Sequence, residues 1–460
     1  MSEIAVNPPT APRGRSRLGV VAGSSLAGTA VEWYDFFLYG TAAALVFNKL
    51  FFPAADPLVG TLLALGTFAA GFLARPVGAA VFGHWGDRYG RRATLVTSLL
   101  MMGIATTLIA FLPTYASVGV LAPLLLLFLR LVQGFALGGE WGGAVLLVSE
   151  HSAHSRRRAF WASWPNVGPP LGNLMAAGAL ALLAAVLSPE DFLGWGWRVA
   201  FGISALLVVI GLVLRLYVEE TPLFTRARAA EAATPGARAT RTPLGELVRD
   251  HWRPVLIAAG SRMGENAGFY LYSLFLITYV TQIQGLSRQT GLTAVMVGQG
   301  VAVITIPLIA LLADRVGRRP VLAAASAATV VWAFAFFALL DTRETWGIIL
   351  AAVGGLLIFA AYSSTIGAFF SELFPTHVRY SGTSIAYNLA SLLAGSLAPV
   401  IALGLYQAFG TGYAVAAYLA VMGLISLIAI RLAPETRDHP LSDDAEEPAQ
   451  SADPSPAPAL

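Results

Sequence analysis

Between Leu18 and Leu432 the chain is a nearly unbroken succession of apolar runs separated by short polar stretches. About 20 residues at 1.5 Å rise cross the hydrocarbon layer of a bilayer, and each run reaches that length. In lipid every backbone N–H and C=O must be satisfied internally, so such runs are helices. They are too long and continuous for the roughly 10-residue alternating strands of a membrane barrel. Twelve spans are read: Leu18–Phe47, Leu58–Gly83, Thr94–Leu112, Val118–Val148, Phe160–Leu187, Trp197–Val218, Pro254–Gln282, Leu292–Ala313, Val321–Leu340, Trp346–Phe370, Ser381–Phe409 and Tyr413–Arg431. The composition, 56% hydrophobic and 12% charged over 460 residues, excludes a soluble protein of this length. Cysteine is absent, which removes disulfides and thiolate metal sites.

Basic residues set the orientation. With a cytoplasmic N-terminus, 20 of the 29 Lys and Arg fall on that side, and only Lys49, Arg198, Arg288 and Arg343 fall on the other. The positive-inside bias then makes both termini cytoplasmic, and the net charge of +3 reflects topology rather than nucleic-acid binding. The first span follows a polar, Arg-containing tail and runs past signal-peptide length, so nothing reads as cleaved.

Four polar motifs of the first half recur in the same order in the second. Glu32 in "EWYDFFLY" matches Glu265 in "ENAGFYLY", and Asp87 in "GDRYGRR" matches Asp314 in "ADRVGRR". Glu150 in "VSEHSAHSRRR" matches Glu372 in "FSELFPTHVRYSG", and Glu220 in "RLYVEETP" matches Glu435 in "RLAPETR". Each motif lies on the same side of the membrane in both halves, so the repeats are parallel. The expected plan is an N-terminal tail (1–17), a six-helix bundle (18–218), a cytoplasmic linker (219–253), a second bundle (254–432) and a disordered Pro/Asp/Glu-rich tail (433–460). Two parallel six-helix bundles suit alternating access around a site at mid-membrane.

"GHWGDRYGRRATL" resembles the loop signature of the major facilitator superfamily, and "ADRVGRRP" is a shorter second copy. "GTAVEWYDFFLYG", "RLVQGFALGGEWGGA" and "SELFPTHVRYSGTSIAYNLA" resemble its metabolite:proton symporter branch, which includes permeases for 2-oxoglutarate, citrate, shikimate and proline or betaine. The resemblance runs from about Gly28 to Glu435. It implies a major facilitator fold and proton-driven import of a small polar metabolite across a bacterial inner membrane. It also implies a monomer, in contact with lipid and protons, that needs no cofactor, metal or nucleic acid.

Within the spans, Glu32 and Asp35 are three residues apart on one helix face near the midplane. A central charge costs roughly 2.5–3.5 kcal/mol on insertion scales, and two like charges on one face repel. An acid that holds a proton and releases it when the cavity opens to the other side is what a proton carrier requires; a structural salt bridge is the alternative. Arg130, in the "RLVQGFALGGE" segment that resembles a motif linked to proton movement, is the expected partner of Asp35 or Glu32. Glu140 reads as a second titrating acid or a structural acceptor. Asp35 has Gly268 as its counterpart, which makes it the sharper candidate for the proton. Gly134, Gly138, Gly139, Gly142 and Gly143 read as close helix packing.

Arg75 lies about eight residues from the end of the second span, placed to grip a carboxylate or to bridge helices. Arg262 and Glu265, three apart, are expected to pair with each other. Tyr39, Gln133, Asn266 and Tyr270 offer hydrogen bonds. Trp164, Asn166 and Asn173 form a stripe on the fifth span suited to a small polar or quaternary-ammonium ligand. Gln299, Tyr362, Tyr387 and Asn388 are further substrate candidates, or glue between helices.

Asp87, Arg88, Arg91 and Arg92, with Asp314, Arg315, Arg318 and Arg319, occupy short cytoplasmic loops, and Glu150, Glu220, Glu372 and Glu435 cap helix ends beside them. Opposed charges can meet there when that face closes, forming a gate, besides fixing topology. Two rival readings are a drug:proton exporter, prompted by "GPPLGN" at Gly168–Asn173, and a sensor that moves no substrate. No phosphate loop or nucleophile–base set indicates a pump or an enzyme.

Overall fold

A computed structural model of the chain describes residues 14–53, 57–216, 220, 221, 225, 243–439 and 441. The expected N-terminal tail before residue 14, most of the 219–253 linker and the tail beyond 441 lie outside these residues. Among the described residues there is no strand. The first six spans are Gly14–Ala42, Pro57–Tyr89, Arg91–Ala110, Leu121–His151, Arg158–Val186 and Pro189–Leu216. The seventh is assembled from Trp252–Ser261, Met263–Tyr270 and shorter turns after them. Arg288–Val316, Arg318–Leu340, Thr345–Leu373, Arg379–Phe409 and Gly412–Leu432 complete the twelve. Each lies where the apolar runs place it, shifted by a few residues where polar helix ends extend past the membrane.

The two halves use the same pairings. The second span packs along the fourth and the eighth along the tenth; the third packs on the sixth and the ninth on the twelfth; the first packs on the fifth and the seventh on the eleventh. This is the parallel repeat of the sequence expressed in packing. Where lipid supplies no hydrophobic drive between helices, close approach does the work, and small residues permit it. A Cβ on Gly134 would fall on the backbone of Gly71, and one on Gly138 on the backbone of the Arg75–Ala79 turn. Gly168 and Gly172 of "GPPLGN" seat the first span in the same way, against Thr29 and the Ala30–Tyr34 backbone.

The loops between the second and third and between the eighth and ninth spans turn on Gly90 (φ 110°) and Gly317 (φ 109°), a region closed to side chains at low energy. That explains why both copies read "GRR". The seventh span breaks at Arg262 (φ −102°, ψ −2°) and then passes through π-turns at Leu271–Phe275 and Tyr279–Ile283. The eleventh has a π-turn at Ser391–Ser396. Such irregular backbone at membrane depth belongs where it faces protein or a cavity rather than lipid.

The halves meet at the face carrying the arginine-rich loops, where the second and fourth spans contact the eleventh and the fifth contacts the eighth and tenth. Deeper in, Trp33 and Phe37 meet Phe269 edge-on at 6.0 and 6.1 Å, and Phe72 meets Tyr270 at 6.0 Å. Residues 433–439 and 441, which the composition assigns to a disordered tail, are packed under this face: Leu441 is buried and its carbonyl accepts from Arg379 at 2.9 Å.

Gly134→Leu is expected to cost about 1–3 kcal/mol through overpacking, read as a lowered thermal midpoint of the purified protein. Gly178→Leu, where a Cβ meets nothing within 4 Å, is the matched control and is expected to leave it unchanged.

Candidate functional site

On the loop-bearing face the repeated motifs form one network, built twice. Asp87 accepts from the backbone N–H of Tyr380 (3.1 Å) and Ser381 (2.9 Å) and from the Ser381 hydroxyl (2.8 Å), capping the start of the eleventh span. Asp314 accepts from the backbone N–H of Ala159 and Phe160, both at 2.9 Å, capping the start of the fifth. Each half therefore caps a helix of the other, where the unsatisfied N–H groups and the dipole favour an anion. Behind them Glu150 meets Arg91 (3.3 Å), Arg379 (3.5 Å) and the Thr221 hydroxyl (2.5 Å). Its counterpart Glu372 meets Arg318 (3.0 Å), Arg158 (3.3 Å) and the Thr436 hydroxyl (2.7 Å). Arg379–Glu150 and Arg158–Glu372 cross between the halves.

Glu220 accepts from the backbone N–H of Arg91 and Arg92, and Glu435 from that of Arg318 and Arg319, so these two acids cap the third and ninth spans within their own halves. The side chains of Arg92 and Arg319 turn to the carbonyls of Leu216 and Arg431. Arg88 and Arg315 depart from the expected cluster: each follows its aspartate by one residue, is carried about 100° round the helix to an exposed position, and makes no ion pair among the described residues. Arg158 and Arg379, absent from the expected set, are the arginines that join the halves.

Deep in the first half Asp35 is fully buried and accepts from the Ser204 hydroxyl at 2.5 Å, while its Oδ2 has no hydrogen-bond partner. Arg130 is not paired with it directly. Its Nη1 donates to Gln133 (3.1 Å), and Gln133 donates to Thr106 (2.7 Å), a hydroxyl that adjoins Asp35. The guanidinium lies 4.4 Å from the Tyr39 ring centre and 5.0 Å from that of Phe36; the Tyr39 hydroxyl is occupied by Thr67 at 2.8 Å. Glu32 is likewise not a partner of Arg130, because Arg215 reaches it first: Arg215 Nη1 is 3.6 Å from Glu32, and Nη2 hydrogen-bonds Glu140. Arg215 was not legible as a site residue, since it stands at a span end where a basic residue is ordinary.

Arg75 is buried and makes no ion pair among the described residues; it lies over Phe72 (4.5 Å) and Phe36 (4.9 Å) with Tyr270 and Tyr387 as polar neighbours. In the second half Arg262 pairs with Glu265 at 2.6 Å as the spacing predicts, donates to Ser391 at 2.9 Å, and stacks on Tyr387 at 3.5 Å. Tyr387 in turn stacks on Trp141 at 4.0 Å. Trp141 donates to Asn166, Asn166 to the Ser363 carbonyl, and the Ser363 hydroxyl to Glu265, closing a ring of contacts across the halves.

Several candidates are thus spent on structure. Asn166 belongs to that ring; Asn388 donates to the carbonyls of Gly138 and Ser384; Tyr362 donates to Ser326; Asn266 contacts Ser391 at 3.5 Å. Asn173 is half-buried with no hydrogen bond among the described residues. Gln299 is buried with both amide atoms unpartnered, and the Trp164 N–H is also unpartnered.

The profile of the sugar (and other) transporter family matches residues 20–446. The chain belongs to this family of the major facilitator superfamily. The transporter is 43% identical over 426 residues to the inner membrane metabolite transport protein YhjE of Escherichia coli, covering 91% of this chain and 94% of that one. It is 40% identical over 421 residues to the Escherichia coli shikimate transporter, with 91% and 94% covered. It is 35% identical over 438 residues to the Salmonella typhimurium proline/betaine transporter, with 93% and 85% covered. Among solved structures it resembles the proton:xylose symporter XylE at a TM-score of 0.75 and 16% identity, covering 94% and 99% of the two chains. These relatives and this fold are those of multi-pass membrane transporters of small molecules, not of enzymes.

Asp87→Asn keeps an acceptor but removes the charge that holds the eleventh span; charge-assisted hydrogen bonds are worth about 1.5–3 kcal/mol each. In this cysteine-free transporter, Ser384→Cys places one buried thiol behind that contact. Its labelling by a membrane-impermeant maleimide is expected to be about ten-fold faster or more in the Asp87→Asn background.

Proposed function

We propose that the transporter imports a small carboxylate-bearing metabolite together with protons, by alternating access across the bacterial inner membrane, with both termini cytoplasmic. The observation that carries this reading is the pair of buried guanidiniums, Arg75 and Arg130, which face the interface between the halves without a carboxylate partner among the described residues. A guanidinium left unneutralised at membrane depth is costly, and a bound carboxylate relieves that cost through two parallel N–H···O bonds. Shikimate, proline and betaine, named for two of the relatives, all carry a carboxylate.

Asp35 is the proton carrier in this reading. It is linked to Arg130 through Thr106 and Gln133, so neutralising Asp35 alters the hydrogen-bond chain that orients Arg130 toward substrate. Tyr270, Tyr387, Gln299 and Trp164 supply the remaining polar contacts to substrate, and Glu265 keeps Arg262 neutralised beside them. The Asp87 and Asp314 caps with the Glu150 and Glu372 clusters are, in this reading, a closed gate that faces the cytoplasm. The positive-inside distribution supports that orientation. No cofactor enters the cycle: one charge moved through 100 mV releases about 2.3 kcal/mol, enough for more than a ten-fold accumulation. "GPPLGN", the sequence's pointer to export, is occupied in packing the fifth span on the first, and relatives named as transporters weigh against a sensor.

Vesicles with an imposed pH gradient, offered shikimate, proline, betaine and 2-oxoglutarate in turn, are expected to accumulate at least one of them when the outside is acidic. Asp35→Asn is expected to abolish the acid stimulation while leaving downhill exchange. Arg75→Gln is expected to raise KM at least ten-fold, and Arg75→Lys not to restore it, because a point charge lacks the fork. Accumulation against the gradient by Asp35→Asn would overturn the coupling assignment.

A further inference from the structure

Three charges meet in the first half on the loop-face side of Arg130. Arg215 lies between Glu32, 3.6 Å from its Nη1, and Glu140, bonded to its Nη2, and Nη1 also donates to the Leu95 carbonyl at 2.7 Å. All three side chains are at most 3% exposed. One guanidinium against two carboxylates leaves one negative charge uncompensated at low dielectric, and both oxygens of Glu32 and Oε2 of Glu140 accept no hydrogen bond. A single proton cancels that charge and supplies a donor for those oxygens.

The second half shows what the same positions look like without this arrangement. There Glu265, the counterpart of Glu32, is neutralised by Arg262; Tyr362 stands where Glu140 stands; and the buried Ile430 stands where Arg215 stands. The excess acid therefore belongs to one half and is not a requirement of the fold.

What covers the triad is Tyr380. Its hydroxyl donates to the Gly139 carbonyl at 2.8 Å, next to Glu140, and its ring fills space that a Cβ on Gly86 or Gly143 would occupy. Its backbone N–H is one of the two held by Asp87. Tyr380 of the eleventh span is the ionisable group that adjoins both Glu140 and Arg215; Arg91 of the third span and Asp87 of the second lie beyond it, against Tyr380, and Asp35 stands three residues along the first span from Glu32.

We propose that Glu32 and Glu140 share one proton around Arg215, forming a second proton-binding site, distinct from Asp35, that Tyr380 seals from the loop-bearing face until the Asp87 contact opens. This deepens the proton-coupled reading above and rests on it. When the eleventh span withdraws, the cap leaves with it, so water reaches this proton in the same movement that opens the gate.

The test counts protons taken up by the ligand-free, full-length protein in lipid nanodiscs between mildly alkaline and mildly acidic pH. Glu32→Gln and Glu140→Gln are each expected to bind one proton fewer than the wild type, and the double variant also only one fewer, because the two acids titrate as a pair. Asp35→Asn is expected to remove a further proton in every background. In stopped-flow pH jumps the triad's proton is expected to enter at least ten-fold faster in Asp87→Asn. Unchanged counts in both single variants, or a double variant that loses two protons beyond those of Asp35, overturn the shared site. If Asp35→Asn loses nothing while Glu140→Gln loses one proton, the triad stands and the Asp35 assignment falls.

Discussion

The cost of a charge in hydrocarbon governs this molecule. Four arginines and four acids, Arg75, Arg130, Arg215 and Arg262 with Glu32, Asp35, Glu140 and Glu265, are buried inside the spans. In sum they cancel, but in space they do not. Acid is in excess around Arg215, and cation is in excess around Arg75 and Arg130. The helices are close-packed through glycine contacts that leave little freedom to move these groups. In the proposed cycle that imbalance is met by species that come and go, a proton at one place and an anion at the other.

The closed face follows the same rule with a different solution. Asp87 and Asp314 are satisfied by backbone N–H groups of a helix in the other half, so the closed arrangement is stabilised by groups that cannot change rotamer or drift. Such a cap is lost completely when the helix moves by a bond length or two. The arginine–glutamate clusters behind it hold part of their bonding within each half, in Arg91–Glu150 and Arg318–Glu372, and part across the halves, through Arg379 and Arg158. Glu150 and Glu372 each therefore have one arginine of their own half and one of the other, so neither depends on the contact across the halves alone for its neutralisation.

Much of this was legible in the sequence. Twelve apolar runs and four ordered motif pairs fix the spans and the parallel repeat, because hydropathy and i to i+3 spacing are local properties. The Arg262–Glu265 pair was readable for the same reason. What local spacing does not carry is which helix faces which. Arg130 reads as the partner of Glu32 only until the sixth span brings in Arg215 from some 180 residues away. Arg215 and Arg431 both stand before a leucine, yet they are not counterparts: the carbonyls that Arg92 and Arg319 reach align Arg431 with Leu216 and leave the buried Ile430 at the position of Arg215. The apolar Ile430 goes with Tyr362, which stands at the position of Glu140 and carries no charge for an arginine to meet. Asn166 shows the same limit, since a polar stripe on one span says nothing of Trp141 and Ser363, the groups of other spans that its amide meets.

The segment after the twelfth span carries one more consequence. Arg158 donates to the carbonyls of Arg437 and His439, and Arg379 to that of Leu441, so the two arginines that bridge the halves also grip the C-terminal strand of chain from above and below. Arg437, His439 and Leu441 are thereby caught between the two halves like a thread in a seam. The joint between the halves is therefore made of three partners rather than two, and the third comes from the end of the second bundle's own chain, so the seam is stitched with backbone as well as with side chains.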